Sequence, residues 1–380
     1  MKQDAWNSSY TWQQIDEHYF LDSGRSIFFQ MAYEFDDKDP EKYVLAIKPN
    51  THIPGYKHLI PNEMLKNTDK YSRGIRRIAH AFAQGNGQEL DKMQLVIDTV
   101  NMVLFEADII NSLSIMKNYA FSLTTPTCLY IEKYRNFFEN SRNDFYELLQ
   151  IDFVNMFKHL FAKVNIVIDE SEPIIVYNKE IFYKLMDHFD TISNRDIVNY
   201  VHWNKIFTLL SYTTQEMWNI KYDMVNTSKA RTHQPRWLSC LTDMKMQDII
   251  SYMFIKKYFS ENILEMGLKM FNNIRNEFKT LLDLSTGLSK EMTDSMRKKI
   301  NHLHVDIGFP DWYKNDTNII KEYEGLVMSD SFFENAIVAQ RYELMKDLKQ
   351  FRAGDKGSSW ETLPIVVNAF YIMEANKIGV

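Results

Sequence analysis

The sequence contains few of the residues that interrupt helices or cross-link small domains. Its 380 residues include only 12 glycines, 9 prolines and 2 cysteines. Such low glycine and proline usage excludes collagen-like and low-complexity chains, and it argues against a β-sandwich rich in turns. Two cysteines exclude a disulfide-stapled scaffold and any zinc site built from four cysteines.

Charge of one sign and long apolar runs are also scarce. The formal net charge is −6, from 44 basic and 50 acidic residues, and this mild, dispersed balance does not support a nucleic-acid partner. No segment reaches the roughly 18 uncharged apolar residues that a membrane span needs. The first residues, MKQDAWNSSYTW, lack the apolar stretch of a signal peptide.

What the chain does contain is apolar surface arranged at helical spacing. Hydrophobic residues make up 45% of the sequence and aromatic residues 14%, which excludes disorder. Met93, Val96, Ile97, Val100, Val103 and Leu104 fall on one face of a helix. The same period predicts a mainly α fold, with helices at Glu89–Lys117, Asp144–Leu160, Asn194–Asn226, Asp243–Lys257, Ser260–Leu282, Ser289–Leu303 and Phe332–Lys349.

Short β-structure is predicted at three places. Segments 26–33 and 43–47 alternate around a turn at Asp36–Pro40, and segments 164–168 and 174–177 are β-branched runs split by a polar turn. Both pairs predict β-hairpins. Segment 353–359 is the clearest linker, and Leu363–Tyr371 after it predicts a strand.

A catalytic zinc site of the common type needs two histidines one helical turn apart with a glutamate between them. None of the ten histidines has such a partner. His302 and His304 come nearest, but a spacing of two residues at a helix end points their rings in different directions. We therefore expect neither catalytic residues nor metal ligands in this chain.

Asn368 is the one polar residue inside the otherwise apolar strand predicted at Leu363–Tyr371. Its amide carries donors and an acceptor that a strand interior would have to satisfy. Two interpretations stay open from the residues alone. Asn368 is either a strand-end residue facing water, or part of an edge strand that binds an extended peptide by backbone pairing.

Several motifs in register carry a resemblance to a known family. Segments 172–177, 199–203 and 235–240, then 250–259, 305–312 and 332–335, occur in the order seen in the neprilysin and endothelin-converting-enzyme family of zinc metallopeptidases. Segment 367–371, Val-Asn-Ala-Phe-Tyr, resembles the substrate-binding strand of that family. The likeness runs from about Ile27 to Val380.

The resemblance implies a large helical cap lobe over residues 1–352 with short β-hairpins. Residues 353–380 would be a linker and the first strand of a thermolysin-like catalytic lobe. It implies a zinc metalloendopeptidase of small peptides in which Asn368 and Ala369 bind the substrate backbone. The family's zinc helix lies beyond the part that this sequence matches, so zinc is expected in the complete parent enzyme but not in this chain, which we predict to be inactive as it stands.

The resemblance also bears on location, cross-links and partners. It implies an extracellular or plasma-membrane ectodomain, with a membrane anchor absent from this chain. Asn7, Asn226 and Asn315 begin N-glycosylation sequons. Cys240 matches a family cysteine whose usual partner is missing, so a Cys128–Cys240 bridge is only a candidate. The alternative function is a non-catalytic secreted module that binds peptides or pairs with a catalytic lobe.

Overall fold

A computed structural model describes residues 10–36, 42–50, 52–55, 64–119, 128–129, 153–169, 172, 174–177, 179–189, 191–225, 237–238, 241, 246–353, 360, 363–373 and 375–380. The chain divides into two compact units. The first unit contains the described residues within Met1–Glu34, Val44–His233 and Ser329–Leu348. The second unit contains those within Phe35–Tyr43, Gln234–Met328 and Lys349–Val380. The predicted boundary near residue 353 concerns the lobes of the family and stays a prediction.

The first unit is mainly helical. Its helices are α1 (Trp12–Ser23), α2 (Met64–Gly85), α3 (Lys92–Tyr119), α4 (Phe153–Ala162), α5 (Lys179–Phe189), α6 (Asn194–Leu209), α7 (Gln215–Val225) and most of α12 (Phe332–Ala353). Helix α3 packs against α2, α5 and α6, and a 3₁₀ turn at Leu210–Tyr212 separates α6 from α7.

Local sequence sets the ends of these helices. The hydroxyl of Thr11 accepts a hydrogen bond from the Gln14 N–H, and Oε1 of Gln14 accepts one from the Thr11 N–H, so α1 begins with a capping box. Gly24 ends α1 with a φ of 67°, a conformation that favours glycine. Ser193 caps α6 by accepting from the Asp196 N–H, so the predicted cap at Asn194 was one residue late.

A small sheet accompanies the helices of the first unit. Its strands are β1 (Phe29–Phe35), β2 (Tyr43–Pro49), β3 (Cys128–Leu129) and β4 (Ile174–Val176), in the order β1-β2-β4-β3. The first predicted hairpin is confirmed by the adjacent β1 and β2, although residues 37–41 of its turn lie outside the described residues. The second was wrong, because residues 164–168 form no strand and β4 pairs in parallel with β2 instead.

Aromatic rings fill the core of the first unit. Phe28 packs edge-on against Phe189 with ring centroids 4.9 Å apart, and Trp12 stacks on Phe189 at 5.1 Å. Phe105 of α3 meets Tyr200 of α6 at 5.3 Å. Such edge-to-face and stacked pairs add to the stabilisation that comes from burying the rings.

Among its described residues, the second unit has four complete helices and a three-stranded sheet. The elements are α8 (Gln247–Tyr258), α9 (Glu261–Leu284), α10 (Lys290–Asn301), β5 (His304–Asp306), a 3₁₀ turn (Asp311–Lys314), α11 (Asp316–Glu322), β6 (Phe370–Ile372) and β7 (Lys377–Gly379). A core of Ile255, Tyr313 and Ile319 holds α8 and α11 together.

Most predicted helices are confirmed within a few residues, and one is not. The single helix predicted over 194–226 is α6, a 3₁₀ turn and α7, because the helix stops at Leu209 and Thr214 begins the next one by accepting from the Met217 N–H. Helix α4 covers the described end of the helix predicted at Asp144–Leu160. Residues 144–152 and the linker residues 354–359 lie outside the described residues.

Candidate functional site: an edge strand in the second unit

The candidate site lies on the sheet β5-β7-β6. Strand β7 is central: it pairs in parallel with β5, with Val305 opposite Ile378, and antiparallel with β6, with Tyr371 opposite Ile378. Strand β6 is therefore at the sheet's edge, and among the described residues no strand pairs with its outer side. An exposed edge of this kind presents backbone N–H and C=O groups to an added strand.

A buried ion pair joins the two parallel strands. Lys377 is only 1% exposed, and its Nζ lies 2.6 Å from Oδ2 of Asp306. Such a lysine is retained inside a protein when a carboxylate neutralises it. The backbone extends the pairing, because the N–H of Val380 donates to the Asp306 carbonyl at 2.9 Å.

Phe370 seats the edge strand on β7. Its ring lies directly over Gly379, where an added Cβ would come within 2.1 Å of Cζ of Phe370. Only glycine leaves room for this contact. The glycine thus sets how closely the ring at the start of β6 approaches the central strand.

The turn between β6 and β7 is closed by Asn376. This residue has a φ of 46°, which asparagine tolerates better than most residues. Its Oδ1 accepts from the Tyr371 hydroxyl at 3.0 Å, and its Nδ2 donates to the carbonyl of Lys299 at 2.8 Å. The turn is therefore tied to the end of α10, and β6 is held in place from both of its ends.

Asn368 and Ala369 lie immediately before β6 and are exposed. The predicted strand over Leu363–Tyr371 is therefore partly wrong: the backbone turns at 364–366, with the Val366 N–H donating to the Leu363 carbonyl, and pairing begins at Phe370. Oδ1 of Asn368 accepts from the Ala369 N–H at 2.9 Å. A peptide that used both groups would have to replace this local hydrogen bond.

Apolar side chains surround these two residues. Val367 is fully exposed at 104%, and Val366, Tyr371 and Met373 are also exposed. Exposed apolar residues beside unpaired backbone are suited to an extended peptide with apolar side chains.

The other predicted site residues are dispersed. Cys128 lies in β3 opposite Ile175, whereas Cys240, Asn7 and Asn226 lie outside the described residues, so the candidate bridge stays a prediction. Asn315 is exposed and caps α11, with its Oδ1 accepting from the Thr317 N–H at 2.9 Å. This sequon is accessible, and its modification stays a prediction.

Sequence reasoning missed the buried polar groups of both units. Glu106 is fully buried in the first unit, where its Oε1 accepts from the Gly55 N–H at 2.9 Å. Burial raises the pKa of Glu106 to about 7, although the bonds from Gly55 and Tyr71 oppose the rise. The available signal was an acidic residue within a mostly apolar helical segment, and for Lys377 a charged residue within a short strand.

The described residues do not fit a zinc site. Within that part of the chain, no group of three histidine, cysteine, aspartate or glutamate side chains is placed to hold a metal. No described helix is both long and apolar enough to cross a membrane.

Comparison with known proteins identifies a family and relatives that this chain resembles. The sequence profile of peptidase family M13 matches residues 1–310. Human endothelin-converting enzyme 1 is 26% identical over 216 residues, which are 56% of this chain and 28% of that protein. Mouse membrane metallo-endopeptidase-like 1 is 24% identical over 227 residues, 58% of this chain and 30% of its own length.

Solved structures show the same fold. A zinc metalloprotease of Mycobacterium tuberculosis, ZMP1, solved with an inhibitor, matches with a TM-score of 0.72 at 12% identity, over 98% of this chain and 53% of that one. PEPO from Lactobacillus rhamnosis matches with a TM-score of 0.64 at 13% identity, over 97% and 56%. The matched region spans under a third of those two sequence relatives and about half of the structural ones.

Proposed function

Because the chain belongs to peptidase family M13, we propose that it supplies the non-catalytic part of a neprilysin-like zinc metalloendopeptidase of small peptides. In this proposal residues 1–352 form the helical cap lobe that limits access to short substrates. Residues 353–380 provide the strand along which the substrate lies. Zinc and the residues that bind it belong to the rest of the complete enzyme.

The observation that carries the proposal is the exposed edge of β6. A substrate peptide pairs with the backbone there as an added strand, with Asn368 hydrogen-bonding through its side chain and Ala369 through its main chain. The small side chain of Ala369 allows close approach. Two contacts support this assignment: Phe370 packs β6 on Gly379 of β7, and the Lys377–Asp306 pair joins β7 to β5.

The first test is Asn368→Ala in a chain joined to a catalytic half of the family. Loss of the amide leaves a peptide group without its partner in a partly dry cleft, which costs about 1–3 kcal/mol. We expect kcat/KM for short peptides to fall about tenfold to a hundredfold.

The matched control is Asn262→Ala, which removes another exposed asparagine, near the start of α9. Hydrogen exchange of the unjoined chain gives an independent reading, since a bound apolar peptide should slow the amides of 367–372. If the Asn368 variant stays within twofold of the parent, the strand is structural and the assignment is wrong.

A second candidate is a non-catalytic module that binds peptides or pairs with a separate catalytic lobe. An exposed apolar face of α9 favours it, formed by Ile263, Met266, Met270, Ile274, Phe278 and Leu281. This face extends along most of the 24-residue helix. Peptide binding at β6 that persists without cleavage, together with association through α9, would distinguish the module from the enzyme.

The relatives also bear on location. One is named a membrane metallo-endopeptidase-like protein, and the sequon at Asn315 is exposed. We infer an extracellular or plasma-membrane ectodomain. Digestion of the secreted protein with an amidase specific for N-glycans should lower its apparent mass, and an unchanged mass would count against this location.

A further inference from the structure

Helix α3 buries one side and exposes an apolar stripe on the other. Phe105, Glu106, Ile109 and Ile110 face the interior of the first unit, where α2, α5 and α6 pack. The opposite side carries Met93, Val96, Ile97, Val100 and Leu104, all exposed. Most of the apolar face recognised in the sequence is therefore on the surface, with Val103 the buried exception.

Polar contacts fix the rotation of α3 about its own axis, so the apolar stripe stays on the surface. Asp98 accepts from Nε and Nη2 of Arg195 at 3.0 and 2.7 Å, a bidentate pair in which each side chain is 18% exposed. Asn101 donates to Asp196 at 3.3 Å. These contacts bind the flank of α3 to the start of α6 and fix its rotation, so the stripe is a lasting feature of the folded unit.

The stripe is self-complementary. Met93, Ile97, Val100 and Leu104 follow at steps of four, three and four residues, so they are placed symmetrically about the point between residues 98 and 99. In an antiparallel pair of such helices, Met93 of one copy meets Leu104 of the other, and Ile97 meets Val100. A two-fold interface requires this property of a surface.

The charges at the two ends favour the same antiparallel arrangement. Lys92 precedes the stripe, and Asp108 follows Leu104 by about one turn. Antiparallel packing places Lys92 of one copy level with residue 105 of the other, three residues from Asp108, twice per pair. Parallel packing would place Lys92 beside Lys92, which like-charge repulsion disfavours.

We propose that α3 forms an interface between two copies of this chain. The two α3 helices pack antiparallel about a two-fold axis that passes between them, level with the midpoint of residues 98 and 99. Five apolar side chains form a smaller contact than the roughly 800 Å² per partner of a standard interface. The dimer should therefore dissociate in the range of about 1–100 µM.

Sedimentation velocity of the full chain across that range tests the proposal. We expect the dimer fraction to rise with concentration, and Ile97→Glu to raise the dissociation constant by about thirtyfold or more, because a charge at the centre of the stripe faces apolar side chains. Ile320→Glu is the matched control, since Ile320 is an exposed isoleucine of another helix. It should leave the constant within about twofold of the parent.

Cysteine cross-linking tests the orientation. A Met93→Cys chain mixed with a Leu104→Cys chain should form a disulfide-linked pair, whereas Met93→Cys alone should not, because its two copies would be roughly 16 Å apart along the helices. The parent chain controls for Cys128 and Cys240. A chain that stays monomeric at about 200 µM, or that cross-links efficiently through Met93→Cys alone, would overturn the proposal.

Discussion

Two carboxyl groups, Asp16 and Glu106, lie inside the first unit and connect separate elements of the chain. Asp16 accepts from the Ser26 hydroxyl and from the Ile27 N–H at 2.9 Å, which holds the entry to β1 against α1. Burial raises the pKa of Asp16 to about 7 despite these bonds. Both groups therefore hold their proton to a higher pH in the folded protein than free carboxyl groups do.

This preference predicts how stability changes with pH. The folded pKa of Glu106 is about 7 against an ordinary 4.5, so the folded state holds a proton that the unfolded state has released. The stabilisation is complete below about pH 4.5 and is lost as pH rises to about 7. At about 1.4 kcal/mol per pH unit, it amounts to about 3 kcal/mol.

Glu106→Gln should remove this contribution. The variant's free energy of unfolding, measured by urea titration from pH 4.5 to 8, should depend less on pH than that of the parent. Glu265→Gln, an exposed change, should leave the slope unaltered. Equal slopes in the parent and the Glu106 variant would mean that Glu106 is ionised inside the folded protein.

For helices and strands, the spacing of apolar residues predicts that a helix is present more reliably than it predicts what the helix packs against. The helical run Ser260–Leu282 is α9 at Glu261–Leu284, and Phe332–Lys349 is α12 at Phe332–Ala353. Periodicity does not say which partner covers an apolar face. The exposed stripes of α3 and α9 satisfy the same pattern as buried ones, and only tertiary packing distinguishes them.

Strands were harder to predict for a related reason. Residues 164–168 have a β-branched composition but form no strand, whereas the three residues of β4 pair with β2, which lies over 120 residues earlier in the chain. Such pairing is long-range and leaves no local signal. The edge position of β6 likewise depends on β7, and the short segment Lys377–Gly379 gives no sign of a central strand.

Asn368 was identified through the family resemblance and as a polar residue in an apolar segment, whereas its hydrogen bond to the Ala369 N–H was not predictable from the sequence.

The α9 face allows a prediction about partners. If it contacts a catalytic lobe, as we propose, Met270→Lys should place a charge within that contact and weaken it. A separately produced catalytic half of the family should co-purify with the parent chain and at least tenfold less with the variant. Ile320→Lys is the control, because Ile320 is also exposed but lies on α11. Equal recovery with all three chains would show that α9 is not the contact.

At the scale of the whole molecule, the fold matches about half the length of the solved structures compared above. Our proposal assigns access control to residues 1–352 and a peptide-binding edge to β6. The described residues provide no cluster of metal ligands, and no histidine in the sequence has a histidine four residues away. We therefore expect peptide binding by this chain to be separable from catalysis.

That separation predicts a protein that binds short peptides without cleaving them. Zinc needs at least two or three nitrogen or oxygen ligands in fixed geometry before it lowers the pKa of a bound water. Purified chain dialysed against zinc should retain much less than one equivalent, measured by plasma mass spectrometry, and a fluorogenic neuropeptide should stay intact. If the peptide is cleaved and a zinc-chelating inhibitor abolishes the cleavage, the prediction of inactivity is wrong. Zinc ligands would then have to lie among residues outside the described part of the chain. Cleavage that such an inhibitor leaves unchanged would instead indicate an activity that does not depend on zinc, because a zinc-dependent activity cannot survive loss of its metal.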